Sequence, residues 1–288
     1  MTKGVFLFAQ NNHTIDYVKQ AIFCAKKIKK HLNLPVALAT DNVLYLKQTY
    51  PYYEKYIDHV IELEWKECTQ TKTFFDGTMS KRDLEWRNFE RRNVYNLTPF
   101  EETLVMDTDF IVGNDLYKFA FETDEELLIF KDITDVNADR PELHVFKHIS
   151  DKSIDMYWAT VFYFKKTERM KLFFNLVSHI KDNWKFYRII NQIPATKFRN
   201  DFAFSIAIHI LNGHQKTNWP KPLPGNLWFT TDLDVLVKMD KEDERYTFLL
   251  DKKDWKGHYT LSSIEDANIH IMNKFSLDRA ISEALVNE

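Results

Sequence analysis

Asp107 and Asp109 stand one residue apart, directly after the apolar run Thr103-Leu-Val-Met106 and directly before a second one, Phe110-Ile-Val112. In an extended chain, side chains two positions apart leave the same face, so both carboxylates can be presented together. Two hard oxygen donors at one point suit Mg²⁺ or Mn²⁺, and a divalent cation held there can in turn bind a diphosphate. Acids are also common at strand ends on protein surfaces, so the meaning of the pair rests on the elements around it.

Those elements alternate. Val5 to Ala9 reads as a strand ending in polar Gln10-Asn11-Asn12-His13, and Ile15 to His31 has helical apolar spacing with lysines on the opposite side. Pro35 to Thr40 and His59 to Leu63 predict two more strands. Asp83 to Asn96 predicts a helix dense in arginine (Arg87, Arg91 and Arg92, with Arg82 just before it), followed by the strand Thr103 to Asp107. Residues 127 to 131 and Trp158 to Phe164 read as strands, and Thr167 to Asn183 and Asp201 to Leu211 as helices. A last extended stretch, Ile269 to Asn273, precedes a closing helix from Leu277 to Val286. Strand alternating with helix implies a largely parallel α/β sheet covered on both sides, in which ligands gather at the carboxyl ends of the strands. With no internal repeat and no clear linker, one continuous domain over 1–288 is the expectation.

Composition narrows the chemistry. The 288 residues are 44% hydrophobic, ample for one sizeable core, and the net charge of -3 creates no global field toward nucleic acid or anionic membrane. With six glycines the chain has no glycine-rich phosphate loop, which argues against a Walker-type NTPase or a Gly-x-Gly-x-x-Gly dinucleotide site. Cys24 and Cys68 show no metal-ligand spacing and fit a reducing, intracellular setting. The apolar start is too short for a signal peptide and no run reaches membrane-spanning length, so a cytoplasmic protein is expected.

On these residues the chain resembles the A-type glycosyltransferases, in particular the retaining group that includes glycogenin-like and galactosyltransferase-like enzymes. The resemblance is carried by Ala9-Gln10-Asn11-Asn12 after the first strand, Thr40-Asp41 after the second, and Arg87, Arg91 and Tyr95-Asn-Leu-Thr-Pro99 before the run Leu104-Val-Met-Asp-Thr-Asp-Phe-Ile-Val112. It continues in Trp158 to Phe164, Asn200-Asp201 and His270-Ile-Met-Asn-Lys274. The family's Lys-Pro-Trp ending after that histidine is absent here.

The resemblance implies a single-domain α/β fold with a mixed, mostly parallel central sheet flanked by helices. Residues 1–115 would bind the nucleotide and 116–288 the acceptor. Asp107, Asp109 and His270 would hold Mn²⁺ or Mg²⁺. Ala9, Gln10, Asn11, Asn12, Tyr17 and Asp41 would bind the nucleoside, with Tyr17 stacked on the base. Arg87 or Arg91, together with Thr108 and Lys274, would bind the diphosphate, and Asp201 and Lys274 are the candidate catalytic residues. Read alone, His270 fits equally a hydrogen-bonded core histidine, and Asp201 a helix cap or first-turn acid.

The implied activity is transfer of a sugar from a nucleotide-diphosphate donor, a uridine one by resemblance, to an acceptor hydroxyl. A divalent cation and a Lys or Arg would stabilise the charge that grows on the departing diphosphate. The acceptor stays open. The Lys-, Asn- and Phe-rich, glycine-poor composition resembles phage and low-GC bacterial proteins, which admits hydroxymethylcytosine in phage DNA beside a polysaccharide or a protein, and the host cytoplasm as location. Asn183 to Arg188 and His214 to Lys221 mix cations with aromatics that could grip a nucleic-acid strand, or form a Lys-rich surface over core aromatics. A nucleotidyltransferase and a non-catalytic nucleotide-sugar or nucleic-acid binding protein are the alternatives.

Overall fold

The computed structural model describes residues 1–67, 70–87, 90–137, 140, 147–149, 154–240, 244–252 and 257–286; Cys68 lies outside them. The chain runs through β1 (Lys3–Ala9), α1 (Tyr17–His31), β2 (Val36–Thr40), α2 (Val43–Thr49), β3 (His59–Glu62), β4 (Thr71–Asp76) and β5 (Ser80–Glu85). A 3₁₀ turn (Glu90–Asn93) leads into α3 (Val94–Leu97), β6 (Glu102–Met106), β7 (Phe110–Ile111), β8 (Leu127–Phe130), β9 (Ile133–Asp135) and β10 (Trp158–Lys165). Then follow α4 (Glu168–Asp182), α5 (Trp184–Ile190), α6 (Asn200–Leu211), β11 (Leu227–Thr230), β12 (Val235–Met239), β13 (Tyr246–Asp251), β14 (Tyr259–Ile264), β15 (Ile269–Ile271) and α7 (Lys274–Val286).

The central sheet has the order β3-β2-β1-β6-β10-β8; β3, β2, β1 and β6 run parallel and β10 is reversed against both its neighbours. Every residue of β2 and β6 is buried, as strands covered on both faces must be. Helix α1 buries Val18, Ala21, Ile22, Ala25 and Ile28 at helical spacing. Its start is fixed by the Asp16 carboxylate, which accepts from the Lys19 N–H at 2.9 Å, and Lys29, Lys30 and His31 suit the negative end of its dipole. Helices α4 and α6 cover the face that carries Phe162 and Phe164. There Phe164 meets Phe174 at 4.9 Å between ring centroids and Phe162 meets Phe204 at 5.0 Å, both edge to face.

A second sheet, β7-β15-β11-β9, and a third, antiparallel β12-β13-β14, enclose a smaller core that includes Ile111, Phe248, Ile269, Ile271 and Ile281. A buried cation ties these sheets together. The guanidinium of Arg140 donates to Asp135 at 2.6 Å and to both oxygens of Asp234 at 2.8 and 2.7 Å, while Asp234 also accepts the Asp251 N–H at 2.8 Å.

The expected helix over Asp83 to Asn96 is not formed. Ser80–Glu85 is instead the second strand of a hairpin, paired with β4 from Thr71↔Glu85 to Asp76↔Ser80, and only Val94–Leu97 is α-helical. The first four residues of β5 are exposed, so no buried apolar stripe sets a period there. Pairing through the hairpin decides the local structure instead. Gly77, at φ +74°, supplies the left-handed turn residue. Among the described residues no helix is long and apolar enough to cross a membrane.

Candidate functional site

The Asp107-Thr-Asp109 turn is where the chain leaves one sheet and enters another. β6 is held between parallel β1 and antiparallel β10; at its end the Asp107 N–H donates to Thr160 O at 2.9 Å and the Phe110 N–H to Asp107 O at 3.2 Å. The next residues form β7, in which Phe110 pairs with His270 and Ile111 with Ile269, and the Ile271 N–H donates to Asp109 O at 3.0 Å. That register delivers a histidine from far downstream to the aspartates. Nε2 of His270 lies 3.2 Å from Oδ2 of Asp109, and Lys274, the first residue of α7, is hydrogen bonded to the same carboxylate. One ligating atom from each of Asp107, Asp109 and His270 falls within 4.8 Å of the others.

The charges around this turn are balanced by contact. Burial alone would raise the Asp109 carboxyl, but Lys274 and His270 outweigh it and hold the group well below the usual carboxylate range. Asp107 goes the other way: burial raises it and the Asp109 charge adds to this, with Arg91 and His270 opposing. Burial disfavours the Lys274 ammonium, yet Asp109 and Tyr17 more than compensate, so Lys274 stays charged. Burial pushes the Tyr17 hydroxyl up to about 12, which leaves a neutral phenol beside Lys274 and the two aspartates. Two carboxylates and an imidazole within reach of one point form a donor set that fits Mn²⁺ or Mg²⁺.

A cavity of about 220 Å³ opens over the turn. Gln10, Tyr17, Arg87, Arg91, Asp107, Thr108, Asp109, Asp201, His270 and Lys274, all singled out in the sequence, line it together. Ala9, Asn11, Asn12 and Asp41 do not. Ala9 is buried within β1. The Asn11 side chain accepts the Val18 N–H at 2.9 Å and donates to Asp16 at 3.0 Å, and Asn12 accepts the N–H groups of Thr14 and Ile15 at 2.9 and 2.7 Å. Both asparagines therefore shape the β1–α1 connection and do not reach for a ligand. Asp41 sits behind the wall, where it accepts from Gln10 at 3.2 Å and Arg87 at 3.4 Å and so aims two residues that do face the cavity.

The surroundings of Arg91, Tyr17 and Asp201 bear on the roles expected of them. Arg91, 3% exposed, donates to Asp107 and to the carbonyl of Ala159, so it braces the Asp107-Thr-Asp109 turn. Tyr17 lines the cavity with its hydroxyl in the field of Lys274, Asp109 and Asp107. Asp201, in the first turn of α6, accepts the Ala159 N–H at 2.9 Å and pairs with Arg199 at 2.7 Å; both its oxygens are engaged.

Lys72, Phe74 and Trp86 also line the cavity and carry no sequence signal as long as 83–96 is read as a helix. Their signal is the period of two: Lys72 and Phe74 leave one face of β4. The hairpin that brings them is anchored to α7 by Arg279, which donates to both oxygens of Asp76 at 2.6 and 3.0 Å. The Arg279 hydrogen bond pulls the Asp76 carboxyl below its ordinary value, against the burial that would raise it. A lowered folded-state value means that the tie is fully present above about pH 4, the unfolded value, and is lost as pH falls through the folded one. Protection of residues 71–85 against hydrogen exchange, measured relative to the intrinsic rate at each pH, should therefore fall on acidification in the wild type. In Asp76→Asn this protection should be low already at neutral pH and insensitive to acid over this range, with a global stability loss of no more than about 1 kcal/mol because Arg279 is half exposed.

No protein-family model matches the chain, and no curated protein matches it. Among solved structures it is similar to the apo form of the glycosyltransferase GlyE of Streptococcus pneumoniae TIGR4, at 15% identity and a TM-score of 0.36, over 75% of this chain and 45% of that one. It is also similar to the galactosyltransferase LgtC in complex with donor and acceptor sugar analogues, at 12% identity and a TM-score of 0.45, over 79% of this chain and 73% of that one. An active-site mutant of LgtC matches at 11% identity with the same TM-score of 0.45, over 79% of this chain and 72% of that one. The chain thus spans less than half of that GlyE structure.

Proposed function

We propose that the chain is a metal-dependent glycosyltransferase that moves a sugar from a nucleotide-diphosphate donor, a uridine one, to an acceptor hydroxyl. The observation that carries this reading is the meeting of Asp107, Asp109 and His270 within 4.8 Å at the carboxyl end of β6, with charged Lys274 beside them in a cavity. Mn²⁺ or Mg²⁺ held by these three residues would neutralise charge on the departing diphosphate. The chain's own groups do the rest. Lys274 offers its ammonium to the phosphate oxygens, where a fixed cation in a buried site is worth far more than in water.

Gln10 and Arg87, aimed by Asp41, bind the nucleoside between the rings of Phe8 and Trp86. Trp158, Arg199 and Asp201 form the wall that receives the acceptor, with Asp201 fixing the direction of the Arg199 guanidinium. In this reading 1–288 is one domain: 1–115 holds the nucleotide, 116–288 the acceptor, and His270 and Lys274 return from the second half to complete the metal site. A DNA acceptor is disfavoured by the aromatics that would grip it. Trp184 stacks on Phe202 with an interplanar angle of 8°, and its indole N–H donates to Thr196 O at 3.0 Å. A polysaccharide or protein hydroxyl is the better candidate.

A thermal-shift screen of nucleotide-sugars tests the donor. One uridine-diphosphate sugar should raise the melting temperature with Mn²⁺ present and much less without it, by about 2.7 kcal/mol of linkage at a hundredfold excess over Kd. Stabilisation by nucleoside triphosphates alone would instead support nucleotidyl transfer.

A further inference from the structure

Helix α5 buries none of its residues fully, yet it carries two apolar faces. Trp184 and Tyr187 pack inward against the main core. Phe186, Ile189 and Ile190, at the i, i+3 and i+4 positions of the opposite face, are 59%, 57% and 55% exposed. Scattered exposed apolar residues are normal on a protein surface, but three bulky ones on one face of one short helix form a patch that something covers. Lys185 and Arg188 flank it, and neither has an ion-pair partner among the described residues. From Asn183 to Asn200 the sequence contains Lys185, Arg188, Lys197 and Arg199 and no acid, in a chain whose net charge is -3. At the patch itself, Lys185 and Arg188 place two unpaired positive charges beside exposed hydrocarbon.

From this we infer that the outer face of α5 docks on an anionic phospholipid bilayer. Unpaired cations beside projecting apolar side chains match that surface on both counts: the cations meet the headgroup charge and Phe186, Ile189 and Ile190 enter the acyl boundary. A single-stranded nucleic acid would need aromatic platforms. Of the three rings of α5, Trp184 is turned onto Phe202 and Tyr187 lies edge-on to His179 at 5.8 Å; Phe186 alone projects, beside two isoleucines, and one ring is too few to stack successive bases. The inference does not depend on the proposed activity, since none of the α5 residues lines the cavity.

Co-sedimentation tests it with the full chain. Vesicles of phosphatidylglycerol and phosphatidylcholine in equal parts should bind the protein at low salt, and phosphatidylcholine vesicles should not. Raising the salt to about 0.5 M should weaken the binding, because the Debye length then falls well below its low-salt value. Two exposed-site variants, Phe186→Ser/Ile189→Ser/Ile190→Ser and Lys185→Glu/Arg188→Glu, should each lose at least about tenfold in partitioning while melting as the wild type does. Equal binding to both vesicle types, or variants that partition like the wild type, overturns the inference. So does a single-stranded oligonucleotide whose binding is lost in the charge variant while vesicles are ignored, or a wild-type dimer that the triple serine variant converts to monomer.

Discussion

Asp109→Asn is expected to lower sugar transfer by at least about a thousandfold and to abolish measurable Mn²⁺ binding. The size of the effect follows from how many groups converge on one carboxylate. Asp109 is a candidate metal ligand, the partner of His270 at 3.2 Å and the partner of Lys274, and it is 3% exposed. An amide of the same shape keeps the packing but removes the charge that holds Lys274 protonated and gives His270 its contact. Lys274→Met should behave differently, leaving Mn²⁺ affinity within a few fold while lowering turnover by about a hundredfold, since the role proposed for the lysine is on the phosphates and not on the metal. Isothermal titration with Mn²⁺ and a nucleoside-diphosphate release assay on the two variants separate these roles. Equal Mn²⁺ affinity in Asp109→Asn and wild type would remove Asp109 from the metal site.

Arg91→Met is the second large effect, and it is first a stability effect. The guanidinium is 3% exposed and makes its bonds to Asp107 and Ala159 O across two strands of the central sheet. Methionine fills much of the volume but strands a carboxylate and a carbonyl, a loss of about 3 to 5 kcal/mol in urea unfolding. Arg91→Lys should recover only part of it, because one ammonium cannot reproduce a planar fork with two fixed directions. Function distinguishes this bracing role from a direct role on the diphosphate. If Arg91 positions Asp107, Arg91→Lys weakens Mn²⁺ binding even with no donor present. A variant that binds Mn²⁺ normally and shows only a raised KM for the donor would return Arg91 to the phosphates.

The parts of the fold that were legible in the sequence are those whose period is imposed by burial. β1, α1, β2, β6, β10, α4 and α6 each present an apolar pattern because a sheet or helix face must be covered, and they lie within a few residues of where that pattern puts them. The hairpin of β4 and β5 was not legible for the converse reason: only Phe74 of its strand residues is buried and half of them are exposed, so no apolar period marks it. With the hairpin went Lys72, Phe74 and Trp86, a wall of the cavity.

The site divides along a similar line. Asp107 and Asp109 could be read from their place at a strand's carboxyl end, whereas the pairing of His270 with them depends on the register of β7 against β15, two short strands with little pattern of their own. Among Arg82, Arg87, Arg91 and Arg92 the sequence offers no way to choose. Only packing separates Arg91, buried and held by Asp107, from Arg92, which pairs with Asp182 at 2.6 Å, and from Arg87, which pairs with Asp41 and Glu85; Arg87 and Arg91 both border the cavity. Asn11 and Asn12 illustrate the opposite error. A polar loop after the first strand of an α/β sheet invites a ligand, but short asparagine side chains also bond readily to nearby backbone N–H groups, and here they do so.

The central claim is that this cavity releases a nucleoside diphosphate with the help of a divalent cation bound by Asp107, Asp109 and His270. Its most direct test is the release of UDP from a panel of UDP-sugars by the wild-type chain, with Mn²⁺ added and then with the ion removed by EDTA. The account predicts release from at least one sugar donor that stops on chelation, returns with excess Mn²⁺ and is absent in Asp109→Asn. Turnover that continues undiminished in EDTA would contradict it.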